Sequence, residues 1–132
     1  MQNTYPLMIQ EQVVGKAIFW WEGLRADPLN LTLSIGEQDI GESKIRGAVF
    51  EIRSDGEEVA IYERNAVGVF NLQRGWGPQG ITPLGMFSQS SQGATIHIED
   101  IDLFIPNAHL PVRMLWLLAL TLRVLWEAGS LE

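Results

Sequence analysis

PVRMLWLLALTLRVLWEA, residues 111–128, is the segment that decides the fold, because no other part of the chain places so much apolar material in one helical run. Its interior consists mostly of good helix formers and contains neither glycine nor proline. The pattern predicts a helix of about five turns that is apolar on two opposite faces and therefore needs cover on nearly all sides. One face carries Met114, Leu115, Leu118, Leu122, Leu125 and Trp126, and the other carries Trp116, Leu117, Leu120 and Val124.

The chain before this helix has the patterns of short β-strands. Segment 29–35 is the clearest, since Leu29, Leu31, Leu33 and Ile35 alternate with polar residues. Segment 13–22 is apolar on both faces, which is typical of a central strand covered from both sides. Segment 36–43 is predicted to be a polar loop. Further strands are predicted at 44–53, 57–64, 67–73, 81–87 and 94–105, with an edge strand at 7–9. The alternation slips at 99–100, which indicates a β-bulge or a sharp bend.

The dipeptide Asp55-Gly56 predicts a hairpin turn between 44–53 and 57–64, because it accepts the positive φ angles of a type I′ turn. Counting outward from a two-residue loop sets the register of the two strands. This register pairs Arg53 with Glu58, Ile52 with Val59 and Phe50 with Ile61.

Composition and charge restrict the function. With 132 residues, 46% of them hydrophobic, the chain fits a single domain at 1–132, in which 1–12 are poorly defined and 131–132 are interpreted as a cloning remnant. The absence of cysteine excludes disulfides, thiolate metal sites and a cysteine nucleophile. A net charge of -7, with nine Lys and Arg scattered along the chain, argues against nucleic acid or an anionic membrane surface as partner. The N-terminus lacks the pattern of a signal peptide, so we expect a cytoplasmic protein.

Four residues are the candidates for contact with a partner or ligand. Trp76 and Gln79 belong to GWGPQG, part of a glycine-rich segment at 75–93, and loops on a rigid scaffold often carry binding residues. GWGPQG matches neither the phosphate-binding nor the dinucleotide-binding glycine pattern. Trp21 follows Trp20, so the two must point to opposite faces of a strand and one of them needs cover beyond the core. Trp116 lies on the second apolar face of the helix.

His97, Glu99 and His109 are weak candidates for a metal site or for acid-base chemistry. A solvated strand face and a histidine in a loop explain the same residues, so we expect no metal and no cofactor. The serines lie in no GxSxG or Ser-x-x-Lys pattern, so the sequence contains neither of these motifs for a nucleophilic serine in acyl transfer. The sequence thus favours a protein that is not an enzyme.

The predicted fold is mostly β (α+β): an antiparallel β-barrel or strongly curved sheet of seven to eight strands, with the helix packed into or across it. A helix inside a barrel resembles the tubby or scramblase-like architecture, and a helix capping a barrel resembles the pleckstrin-homology architecture. Both resemblances concern the fold of residues 13–128, rest on no motif and transfer no functional residue.

Three functional hypotheses follow. The first is a non-catalytic binding or assembly module that contacts a protein partner or itself, with a homodimer through the outer face of the helix as one form. The second is a carrier of an apolar small molecule or lipid in a barrel cavity. The third is a metal-dependent enzyme that uses His97, Glu99 and His109. A membrane-spanning role is disfavoured, because the apolar stretch is shorter than the roughly 20 residues that a span requires.

Overall fold

A computed structural model describes residues 1–107 and 109–129, so the suggested remnant at 131–132 lies outside the described residues. Mostly β structure is followed by one C-terminal helix, as predicted. The strands are β1 (Gln2–Ile9), β2 (Gln12–Trp21), β3 (Leu29–Ile35), β4 (Gln38–Arg46), β5 (Val49–Ser54), β6 (Glu57–Arg64), β7 (Phe70–Gly75), β8 (Gly80–Ile81), β9 (Phe87–Ser90), β10 (Gly93–Ile98) and β11 (Ile101–Pro106). Helix α1 spans Val112–Glu127.

The strands form one antiparallel sheet in the order β8-β7-β6-β5-β4-β3-β2-β1-β11-β10-β9. Strands that are consecutive in sequence are neighbours, except β8 and β9, and the non-consecutive strands β1 and β11 pair with each other. The prediction of seven to eight strands in a barrel is wrong, because the described residues form eleven strands in a sheet that is not closed. Its two edges are the short strands β8 and β9.

The additional strands arise from turns that alternation alone did not reveal. Segment 44–53 contains a turn at Gly47, where φ is +58°, so it divides between β4 and β5. Segment 36–43, predicted to be a loop, is largely the start of β4. Of the two alternatives for the slip at 99–100, the sharp bend is present and the β-bulge is not: Glu99 has φ of +53°, and β10 pairs with β11 on either side of a hairpin turn. A turn of two or three residues is easily overlooked inside a run of strand-forming residues.

The N-terminal segment also differs from its prediction. Residues 1–12, predicted to be poorly defined apart from an edge strand at 7–9, contain the eight-residue strand β1. This strand lies inside the sheet, between β2 and β11. Its pairing with β11 joins residues almost a hundred positions apart, Met8 and Phe104, which local sequence patterns cannot indicate.

The Asp55-Gly56 turn is confirmed, with φ of +54° and +76° at the two loop residues. Arg53 pairs with Glu58 as predicted, but the register shifts by one residue beyond that pair. Ile52 then faces Ala60 and Phe50 faces Tyr62, so the predicted partners Val59 and Ile61 are wrong. The shift matters because it turns the side chains of Ala60 and Tyr62, not those of their neighbours, into the core.

Helix α1 is covered on all sides, and strands far apart in the sheet, β4 and β10 among them, contact it. The sheet therefore bends around the helix. Leu118 and Leu122, on the first apolar face, are fully buried, but so are Leu120 and Val124 on the second. The sheet of the same chain therefore covers this second face, and Leu120 and Val124 are not available as the contact residues of a homodimer. None of the described helices is long and apolar enough to cross a bilayer.

Polar contacts fix the position of the helix inside the sheet. Buried Thr121 donates a hydrogen bond to the carbonyl of Leu117 at 2.6 Å, so the hydroxyl of Ser43 on β4, 2.7 Å away, must donate to Thr121. At the C-terminal end of the helix, Arg123 pairs with Glu99 at 3.4 Å and with Glu127, four residues later, at 2.9 Å. The helix thus has a fixed direction relative to the strands.

Candidate interaction surface

The sheet and helix give the molecule two ends with different compositions. Successive turns of an antiparallel meander lie at alternate ends of the sheet. The β2–β3, β4–β5 and β6–β7 connections lie at the end where helix α1 begins. We call this the apolar end and define it as residues 22–28, 47–49, 65–69 and 110–113 together with Met1. We call the other the acidic end and define it as residues 10–11, 36–37, 55–57, 75–79, 99–100 and 127.

Contacts to the first turns of the helix hold the apolar end together. The guanidinium of Arg113 donates to the carbonyl of Ala26 at 2.7 Å and lies 3.2 Å from Asp27. Asp27 in turn accepts a hydrogen bond from the backbone of Gly47 at 3.1 Å. One arginine therefore links the helix to the β2–β3 loop and, through Asp27, to the β4–β5 turn.

These contacts also change the acidity of Asp27. The hydrogen bond from Gly47 and, next, that from Arg113 lower the pKa of this carboxyl below its ordinary value. The carboxylate is thus held in its charged form, which is the form that accepts both hydrogen bonds.

The apolar end exposes aliphatic side chains on several separate segments. Leu24 in the β2–β3 loop is fully exposed, and Val67 in the β6–β7 loop is 74% exposed. Val112 at the start of the helix is 54% exposed. Met1 is held at the same end, because its amino group donates to the carbonyl of Trp21 at 2.8 Å. Scattered exposed aliphatic residues are ordinary, but several at one end of a molecule are typical of a contact surface.

Charge is divided between the two ends as well. The apolar end and its edges carry Arg25, Arg46, Arg64 and Arg113, with Glu22, Asp27 and Glu63. The acidic end carries Glu11, Glu37, Asp55, Glu57, Glu99, Asp100 and Glu127. The 16-residue helix between them is about 24 Å long, whereas charges in physiological salt are screened over about 8 Å. The net charge of -7 therefore does not describe the electrostatics of the apolar end.

Trp76 and Gln79 lie at the acidic end. The indole of Trp76 is 47% exposed and lines a depression of about 420 Å³ with Gln79 and Glu127. The hydroxyl of Tyr62 reaches this loop from the core and donates to the carbonyl of Pro78 at 2.9 Å. Burial, with a smaller effect of Glu127, raises the pKa of Tyr62 to about 12, so its hydroxyl stays protonated. The hydrogen bond from Tyr62 thus holds the loop on the core side, while Trp76 remains partly exposed to solvent.

Trp21 and Trp116 lie toward the apolar end and are both partly buried. Trp21 packs against the core, whereas its neighbour Trp20 is 43% exposed and lines an open groove of about 270 Å³ on the outer sheet face. Trp116 packs edge-to-face on Phe70 at 6.1 Å and carries the guanidinium of Arg64 over its ring at 5.1 Å. The four predicted contact residues are therefore divided between the two ends.

His97, Glu99 and His109 do not form a cluster. Glu99 pairs with Arg123 near the end of the helix, whereas His109 precedes the start of the helix. His97 contacts Asp102 through Nδ1 at 2.8 Å. Within residues 1–107 and 109–129, no group of three or more His, Asp or Glu is arranged to hold a metal ion.

Sequence reasoning missed the exposed aliphatic residues of the apolar end. Leu24, Val67 and Val112 are separated along the chain, and only the alternation of turns brings them to one end. A signal was present for Leu24, which lies between the predicted strands 13–22 and 29–35, where an aliphatic residue has no strand or helix face to bury it. Val67 gave no such signal, because the segment 67–73 was predicted to be a strand. Comparisons of the chain with models of protein families, with curated proteins and with solved structures found no match.

Proposed function

We propose that this chain is a binding module that contacts a protein partner through its apolar end. The observation that carries the proposal is the exposure of Leu24, Val67 and Val112 on three segments at that end. Burying one such side chain in a complex stabilises it by about 1.5–3 kcal/mol. Three of them at one end of the molecule supply apolar surface of the kind that protein interfaces have at their centre.

The charged residues around the apolar end support a protein partner of matching charge. Arg25 and Arg46 are exposed beside the aliphatic side chains, and arginine is enriched in protein interfaces. Their guanidinium groups favour carboxylates at the rim of the partner. We therefore expect a partner with an apolar patch bordered by acidic residues, and an association rate that falls as salt is added.

The carrier and the metal enzyme stay predictions that no observation favours. Helix α1 fills the space that a carried apolar molecule would need, with Leu117, Leu118 and Ala119 fully buried between the helix and the sheet. The residues named for a metal site are spread over both ends of the molecule. A binding role needs neither a cavity nor a metal.

Site-specific photo-crosslinking would test the proposal. A photoreactive phenylalanine analogue replaces Leu24 or Val67 at the apolar end, or the 66% exposed Val13 at the other end as a matched control. Each variant is irradiated in cells that produce the protein. We expect discrete adducts of one defined mass from positions 24 and 67 and none from position 13.

A second set of variants distinguishes specific binding from nonspecific association. Leu24→Ser combined with Val67→Ser should abolish an adduct formed from position 112, whereas Val13→Ser should leave it unchanged. Equal crosslinking from all positions, or an adduct that survives the double substitution, would contradict the proposal.

A further inference from the structure

A serine, a histidine and an aspartate meet on the outer face of β9, β10 and β11. Nδ1 of His97 lies 2.8 Å from Oδ1 of Asp102, and Nε2 of the same ring lies 3.4 Å from Oγ of Ser88. Asp102 is the direct cross-strand partner of His97, and Ser88 is its diagonal neighbour, opposite Thr95. Each of the three residues comes from a different paired strand, so the sheet itself fixes their spacing.

This order of groups can activate a serine. The carboxylate of Asp102 accepts the Nδ1 proton of His97, which leaves Nε2 with the lone pair that faces Ser88. A neutral Nε2 is the base that removes the proton of a serine hydroxyl as the oxygen attacks a carbonyl carbon. The Ser88 to His97 distance is longer than an ideal hydrogen bond, as is common in such pairs before a substrate binds.

The free edge of the sheet lies beside Ser88. The backbone N–H of His97 donates to the carbonyl of Met86 at 2.6 Å, one position beyond the last registered pair of β10 and β9, Ile96 and Phe87, so the hydrogen-bonded pairs of this ladder are fixed. Because such pairs alternate along antiparallel strands, Ser88 also faces β10 with its backbone, and the N–H of Gln89 points to the open edge. A backbone N–H directly after the nucleophile is a donor that can stabilise a developing oxyanion.

We propose that Ser88 is a nucleophile that accepts the acyl group of small activated esters, with His97 as its base and Asp102 as the positioning residue. Ser88 Oγ bonds to the ester carbonyl carbon while its proton passes to His97 Nε2. The bond from that carbon to the leaving oxygen then breaks, and the leaving alcohol takes the proton. A water molecule, deprotonated by Nε2, next hydrolyses the Ser88 ester, releases the carboxylic acid and restores the hydroxyl.

The exposure of the three residues limits the substrate and the rate. The side chains of His97 and Asp102 are 41% and 66% exposed, so water competes for their hydrogen bond. General-base assistance is therefore expected near the lower limit of its usual range, about a hundredfold. An open sheet face suits small esters with good leaving groups rather than large substrates that need a deep pocket. This activity would be independent of the proposed binding at the apolar end.

A fluorophosphonate probe tests the proposal on the full chain, with peptide mass spectrometry to locate the modified residue. Ser90 and Ser91 are exposed neighbours and serve as internal controls. We expect Ser88 to react at least about tenfold faster than either of them, because only Ser88 has a histidine base.

Single variants then assign the roles. Ser88→Ala should remove the fast adduct and the initial burst with p-nitrophenyl acetate. His97→Gln should slow the labelling of Ser88 to the rate of Ser90 and Ser91, and Asp102→Asn should slow labelling by a smaller factor without removing Ser88 reactivity. Equal labelling of Ser88, Ser90 and Ser91, or unchanged labelling in His97→Gln, would overturn the proposal. The comparison among serines needs no variant and so does not depend on any variant folding.

Discussion

Glycines at tight backbone positions differ widely in what they tolerate, and two of them allow a direct comparison. Gly75 has φ of +101°, and an added Cβ would collide with the backbone of Val59 and Ala60. Gly56 has φ of +76°, but nothing lies close to its Cβ position. We expect Gly56→Ala to cost about 1 kcal/mol in unfolding free energy, from strain alone. Gly75→Ala should cost about 2 kcal/mol more, because the strand must also move. Urea unfolding of both variants measures the difference, and equal losses would contradict it.

Asp27 predicts a pH dependence of stability. Its pKa is lowered in the folded state by the hydrogen bonds from Gly47 and Arg113, so the unfolded chain binds the proton more readily. The stabilisation is therefore present above the ordinary pKa of an aspartate, about 3.9, and is lost as the pH falls through the lower folded value. We expect Asp27→Asn to destabilise the protein at pH 7 and to have a smaller effect at pH 3. Chemical unfolding at both pH values tests this, and an effect that grows in acid would refute it.

The helix is the element whose all-round burial can be measured most directly. Leu118 and Leu120 point to different sides of α1, and both are fully buried. We expect Leu118→Ala and Leu120→Ala each to cost about 2–5 kcal/mol, since both leave a cavity in the core. Val112→Ala, at an exposed position of the same helix, should change stability by less than about 0.5 kcal/mol. Thermal and urea unfolding would show whether Leu120 behaves as a core residue, and a negligible loss would indicate a one-sided helix.

The register of the helix against β4 depends on one buried hydrogen bond. Thr121→Val removes the acceptor of the Ser43 hydroxyl and leaves that donor buried without its partner, at a cost of about 1–3 kcal/mol. Ser43→Ala together with Thr121→Val removes both groups, so the double variant should be more stable than the sum of the two single changes implies. A double-mutant cycle measures this coupling. Purely additive losses would mean that the contact contributes little.

At the scale of the whole molecule, the separation of an apolar from an acidic end affects self-association. If a second copy is the partner, the contact uses the apolar end and not the helix, which the sheet already covers. Light scattering over a hundredfold concentration range should then show a dimer that Leu24→Ser with Val67→Ser abolishes and that Val13→Ser retains. A monomer at every concentration would exclude a second copy as the partner, and the proposed partner would then be a different protein. A dimer unaffected by the double substitution would exclude the apolar end as its interface.

The helix and the strands with clear alternation could be predicted from the sequence, because they depend on residues that are close together in the chain. Alternation in 29–35 reproduces the bounds of β3, and the Asp55-Gly56 turn follows from the backbone preferences of two residues. The two apolar faces of 111–128 indicated a helix that needs cover on nearly all sides, although the sequence left open whether the sheet or a second copy supplies the cover of the second face. The absence of cysteine and of phosphate-binding patterns also followed from the sequence alone.

Only the tertiary structure decided which residues meet. The pairing of β1 with β11, the one-residue shift beside Arg53 and the path of the sheet around the helix depend on contacts between distant segments. The same holds for function. Leu24 and Val67 share an end, and Ser88 approaches His97, through strand order and register. A sequence pattern records what one segment prefers, whereas these surfaces arise from the packing of several segments, so local preferences could not place them.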